Sequence, residues 1–167
     1  MHESVMNFVS QCVDRYNLHD KTVLDAGSMD INGNARELFS TSRYIGIDML
    51  PGKNVDIVMN SHELKFPDKY FDVVLSLECI EHDDQFWVSM KEIGRVLRPG
   101  GVLILTTRSI GFQYHPYPYD YWRFTLDSAG VLCNIAGLSL ADSQSDPQAP
   151  GIFIVGVKGE QNADVSC

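Results

Sequence analysis

At 167 residues with 44% hydrophobic side chains, the chain is long enough for one domain that buries roughly two-thirds of its unfolded surface, so it needs no disulfide staples. No apolar run approaches the ~20 residues of a membrane-spanning helix, and the opening MHESVMNFVSQCVDRY lacks the continuous apolar stretch of a signal peptide. A soluble, cytoplasmic protein is therefore expected, with no C-x-x-C pair among its free thiols Cys12, Cys79, Cys133 and Cys167. A formal net charge of -9 sets the average surface against phosphate backbones and disfavours nucleic acid as a substrate.

In chain order, Val5, Val9, Cys12 and Tyr16 recur at helical spacing, predicting an amphipathic helix over 3–17 that lies against the domain. Lys21–Asp25 reads as a short buried strand, 27–33 as a long turn, and 34–40 as a helix. Tyr44–Asp48 and Val55–Val58 are the second and third strands, followed by a loop-like stretch. Phe71–Ser76 is a fourth. Phe86, Met90, Ile93 and Leu97 mark a helix ending before Pro99-Gly100-Gly101, and Val102–Thr106 is a fifth strand. A helix over Leu126–Ala136, capped by Thr125 and stopped by Gly137, precedes two last strands, Leu138–Asp142 and Ile152–Val157. Strands alternating with helices argue for an α/β fold with a mainly parallel sheet and right-handed crossovers. The last two strands are too close for a helical crossover and must pair antiparallel.

Parallel sheets bind ligands beyond the carboxyl ends of their strands, where strand order reverses. The first two strands end at Asp25 and Asp48. Gly27 and Gly33 let the backbone approach a ligand, and Asp48, 23 residues after Asp25, stands where an acid accepts hydrogen bonds from ribose hydroxyls. A nucleoside-containing cofactor is the reading. A nicotinamide dinucleotide is one alternative, although the G-x-G-x-x-G spacing is absent. Taken alone, each acid also reads as a strand-end turn residue.

The segments VLDAGSMDINGN, YIGIDML, FPDKYFDVVLSLECIEH and KEIGRVLRPGGVLIL together resemble the class I, Rossmann-like S-adenosylmethionine-dependent methyltransferases, over roughly residues 21–158. The resemblance implies a seven-stranded sheet of order 3-2-1-4-5-7-6 with strand seven antiparallel. It makes the chain one domain: helix 3–17, core 21–158 and tail 159–167. It further implies that Asp25, Gly27 and Ser28 lie along the methionine and ribose of S-adenosylmethionine, that Asp48 and Met49 take the ribose hydroxyls and an adenine face, that Asn60, Ser61 and His62 border the adenine edge, and that Leu77 and Glu78 flank the methyl group. Two positions depart from the family pattern. Met29 and Ile31 replace glycines two and four residues after Gly27, so a different loop path is expected, with turns at Asp30 and Asn32; and Asn60 stands where an acid is common.

Two clusters are candidates for the acceptor end. In Glu81-His82-Asp83-Asp84, an acid caps the next helix, and His82 is either a packed, hydrogen-bonded residue or a catalytic one. No second spaced ligand pair accompanies this run, so no metal site is expected. The aromatic, proline-rich stretch 112–124 follows strand five and is expected to form the pocket wall. His115 there is the first candidate base, Tyr117 and Tyr119 orient, Asp120 pairs with Arg123, and Trp122 and Phe124 enter the core. The acceptor expected is a small molecule, with a sugar or protein group as alternatives. A second function class, a non-catalytic S-adenosylmethionine-binding module, stays open. With no inserted substrate domain, acceptor recognition falls to the N-terminal helix, the 112–124 loop, or a second subunit, whether another copy of the chain or a partner.

Overall fold

The computed structural model describes residues 2–160; Cys167 and most of the predicted tail lie outside them. The elements are α1 (Glu3–Arg15), β1 (Thr22–Ala26), β2 (Arg43–Asp48), β3 (Ile57–Val58), β4 (Phe71–Leu77), α2 (Phe86–Val96), β5 (Leu97–Arg108), α3 (Ala129–Ile135), β6 (Ser139–Ser145) and β7 (Gly151–Val157). The described strands form one sheet of order β3-β2-β1-β4-β5-β7-β6. All neighbours are parallel except β5–β7 and β6–β7, which are antiparallel. This is the expected Rossmann-like sheet.

Period-two alternation supplies a core on each face. Leu24, Val74, Leu103, Leu105, Ile152 and Ile154 point one way, under α2 and α3. Val23, Val73, Leu75, Ile104, Phe153 and Val155 point the other, under α1. The buried stripe of α1 is Val5, Phe8, Val9, Cys12 and Val13; Phe8 stacks on Phe153 at 4.8 Å, while Tyr16 falls beyond the helix and is only half-buried.

Several predicted boundaries are corrected. The helix expected at 34–40 is one 3₁₀ turn, Arg36–Phe39. Asn34 Oδ1 takes the Arg36 amide, and Ser42 caps the neighbouring strand instead, its Oγ accepting from the Lys21 amide at 3.2 Å. Strand three shortens to Ile57–Val58, because Asn54 adopts a left-handed φ of 70° and Asp56 spends its carboxylate on the Gly46 amide and Arg36. Strand five begins at Leu97 and runs through Pro99-Gly100-Gly101, with a register shift opposite Phe71–Val73 absorbing the glycines. Thr125 makes no side-chain cap; Leu126–Ser128 forms a 3₁₀ turn and α3 starts at Ala129, though Gly137, with φ 69°, ends it as expected.

Candidate functional site

The carboxyl ends of β1, β2, β4 and β5 open into a cavity of about 990 Å³. Each wall is built by a segment that follows one of these strands.

After β1, Gly27 has φ 87° and a Cβ there would lie 2.5 Å from Cys79 Sγ, so a glycine is required. The Gly27 and Ser28 amides both donate to Ile47 O. Asp30 sets the departing loop path: its carboxylate accepts from the Gly33 amide at 2.6 Å and Asn34 Nδ2 at 2.8 Å and pairs with Lys53 at 2.6 Å. The Lys53 contact, with Asn34 and Gly33, holds that carboxyl down at about 2. Asn54 then ties the loop to the β2–β3 connection by donating to Ser28 O and accepting from Ser28 Oγ through its own carbonyl.

Asp25 is buried at the end of β1 and its carboxylate accepts from Tyr44 Oη at 2.6 Å; burial pushes its pKa up to about 6 against this bond. Asp48 faces the cavity and accepts from the Met29 and Leu50 amides at 3.3 and 3.1 Å. Beside it, Met49 is 63% exposed and Leu50 and Ile31 are about as open, leaving three large apolar side chains on one cavity wall. Asn60 holds the next turn by accepting from the His62 amide.

After β4, Glu78 takes a left-handed φ of 56°, a costly conformation for a residue with a side chain. Its buried carboxylate ion-pairs with Arg108 at the end of β5, which also reaches Asp146 at 3.4 Å. Glu81 has no exposure; Oε2 accepts from Thr107 Oγ1 at 2.8 Å, while Oε1 has no hydrogen-bond partner. Burial pushes both glutamates up, and at Glu78 the Glu81 charge adds to it.

The stretch after β5 folds back onto this segment. The Tyr121 and Trp122 amides donate to Glu81 O, Trp122 Nε1 donates to Asp83 O, and His82 Nδ1 lies 2.6 Å from Tyr119 O. Arg123 grips Asp120 through two nitrogens at 2.5 and 2.6 Å, the expected pair. His115 Nδ1 lies 3.3 Å from Asp120 Oδ2 and its Nε2 4.0 Å from Glu81 Oε1. Burial, then the neighbouring His82, lowers its pKa, favouring neutral imidazole. Tyr117 does not reach His115; its hydroxyl lies 3.1 Å from Met29 Sδ across the cavity. Phe124 is in the core, but Trp122 remains 37% exposed, packed edge-on to Phe86 and Trp87, because its N–H reaches a carbonyl at the rim.

All of the residues expected to hold the cofactor line this cavity, as do His82, His115 and Tyr117. Sequence reasoning missed Arg108, Glu81 as a fully buried acid behind His82 and His115, Asn54, and His2, whose ring stands edge-on to Phe112 at 6.3 Å. Arg108 carried one signal, a lone charge ending the apolar run VLILTTR.

Residues 24–105 match the family model described as a methyltransferase domain. The sterol 24-C-methyltransferase of Aspergillus fumigatus is 35% identical over 78 residues, 47% of this chain and 21% of that protein. The matched segments span between 16% and 27% of the curated relatives' lengths. Among solved structures, the 1,6-didemethyltoxoflavin-N1-methyltransferase of Burkholderia thailandensis, bound to 1,6-didemethyltoxoflavin and S-adenosylhomocysteine, superposes with a TM-score of 0.77 at 20% identity, over 95% of this chain and 80% of that one. The [4+2]-cyclase SpnF superposes at 0.72 with 14% identity, over 93% and 81%.

Proposed function

We propose that the chain is a class I, Rossmann-like S-adenosylmethionine-dependent methyltransferase, a single-domain enzyme transferring a methyl group to a small-molecule acceptor; the methyltransferase-domain match over residues 24–105 and the shared fold support this reading. The match over residues 24–105 favours this reading over the nicotinamide alternative. The observation that carries the proposal is the single cavity joining an acid at the end of β2 to a polar, histidine-bearing wall after β5.

The residues fit the cofactor. Ile31, Met49 and Leu50 leave apolar surface open in one wall, which a flat heterocycle would cover. Asp48 keeps acceptor capacity beyond its two long amide bonds for ribose hydroxyls. Asn60, Ser61 and His62 edge the same wall, and Gly27, Ser28, Leu77 and Glu78 line the path toward β4. S-adenosylmethionine supplies a methyl group on a positively charged sulfur, which an acceptor lone pair takes in line.

The chain's own task is alignment, an effect worth roughly 7–11 kcal/mol. His115, His82 and Tyr117 form the acceptor end, and a neutral imidazole at His115 receives a hydrogen bond, or the proton, of a weakly acidic acceptor. Recognition falls to the stretch after β5 and to His2 at the start of α1.

Calorimetry with S-adenosylmethionine, followed by assay of S-adenosylhomocysteine formation across an acceptor panel, tests the proposal. Binding with turnover on a small molecule supports it. Binding without turnover favours the second reading, a non-catalytic binding module, for which the observation is the glycine-poor first loop drawn together by Asp30.

A further inference from the structure

A cation site emerges where two segments distant in sequence meet. One carboxylate oxygen of Glu81 and one ring nitrogen each of His82 and His115 lie within 4.8 Å of one another. His115 supplies the third group that the 81–84 run lacks by itself, brought in from the far side of β5.

The groups are arranged as ligands rather than as partners of each other. Thr107 fixes Glu81 by one oxygen and leaves Oε1, in a residue with no exposure, without a donor. A carbonyl only accepts, so His82 donates from Nδ1 to Tyr119 O, and a histidine that donates from Nδ1 keeps its Nε2 lone pair for a ligand. His115 is anchored by its backbone amide, which donates to Asp120 Oδ2 at 2.8 Å; its Nδ1 lies 3.3 Å from that carboxylate without a hydrogen bond, and its Nε2 faces Glu81. A carbonyl behind His82 is the usual outer support of a metal-binding histidine. An unpaired buried acceptor facing further lone pairs is costly, and a cation between them removes that cost.

We infer that Glu81, His82 and His115 bind one divalent transition-metal ion, with a coordination position open to the cavity for an oxygen of the acceptor. Two imidazoles and a carboxylate suit the manganese-to-zinc series rather than calcium or magnesium. Bond lengths of about 2.0–2.2 Å place ligands roughly 3.3 Å apart, so the 4.0 Å between His115 Nε2 and Glu81 Oε1 contracts as the ion seats. The other acid–histidine group among the described residues, His62, Asp83 and Asp84, is already committed: Asp83 takes His62 Nε2, the Gln85 amide and Ser89 Oγ. The ion and the acceptor's proton compete for the same His115 lone pair, so the metal-bound form engages the acceptor through oxygen coordination. That role rests on the proposed methyltransferase reading; binding of the ion does not.

The test is titration of the chelator-treated full chain with Mn2+, read by loss of the free-ion paramagnetic resonance signal, with Zn2+ as competitor and no S-adenosylmethionine present. One Mn2+ per chain, displaced by Zn2+, is expected. Glu81→Gln and His115→Ala should weaken affinity at least tenfold. His115 is half-exposed, so His115→Ala keeps the test alive if Glu81→Gln fails to fold. No binding at millimolar metal overturns the inference, as does unchanged affinity in His115→Ala, or loss in His62→Ala instead. Failure of the wild-type chain to bind S-adenosylmethionine would sink the methyltransferase reading while leaving the metal titration standing.

Discussion

Asp48 and Asp25 end neighbouring parallel strands, yet their surroundings assign them different work. Asp48 is open to the cavity with two long amide contacts, so Asp48→Ala removes a charged acceptor from the proposed ribose site. Charge-assisted bonds are worth about 1.5–3 kcal/mol, and S-adenosylhomocysteine affinity measured by calorimetry should fall roughly 10–100-fold. Asp25 is buried on Tyr44, with its pKa raised from 3.8 to about 6. The folded state therefore keeps a proton that the unfolded chain releases between roughly pH 4 and 6. The contribution to stability is complete below about pH 4 and is lost as pH rises through 6. In Asp25→Asn, the difference in melting temperature between pH 4 and pH 7 should shift relative to wild type in the direction that removes this loss. His115→Ala should lower turnover about 10²–10⁴-fold with cofactor affinity nearly unchanged; lost affinity would make His115 structural. Asp48 was legible in the sequence because its role follows from strand-end position alone. Arg108 was not, since its partners Glu78 and Asp146 lie 30 and 38 residues away along the chain and meet it only after β4, β5 and β7 assemble.

The elements hold the site through contacts of very different sequence range. The α1 helix, β1, β2, β4 and the antiparallel closing hairpin follow from hydrophobic period and spacing and form where expected, except that Tyr16 drops out of the α1 stripe and β6 extends to Ser145. Residues 34–40 and 55–58 do not, because Arg36, Asn54 and Asp56 trade backbone regularity for side-chain bonds to each other. Neither periodicity nor propensity registers such exchanges. Another feature outside pattern reasoning is the crossing of α2 and α3, where a Cβ on Gly94 would run into the Ala136 carbonyl. Gly94→Ala should destabilise the fold by about 1–3 kcal/mol, read as a lower denaturant midpoint with an unchanged slope. Lys158 closes the same corner, its ammonium donating to the Gly94 and Leu97 carbonyls at 2.6 and 2.7 Å.

At the scale of the whole molecule, one sheet carries the site at one edge, and the stretches after β4 and β5 are laced together across it. A ligand that binds the folded chain alone stabilises it by about 2.7 kcal/mol at one hundred times its Kd. For a chain of this length that is roughly a 5–10 °C rise in melting temperature, expected for S-adenosylhomocysteine and measurable by scanning calorimetry; no shift at saturating ligand would contradict the proposed cofactor. Both tryptophans of the chain, Trp87 and Trp122, stand within 6.4 Å of each other beside this lacing. Tryptophan emission, excited to the red of the tyrosine band, thus comes only from beside the acceptor end. The molecule carries its own optical probe, whose emission should respond to acceptors and to paramagnetic ions without any added label.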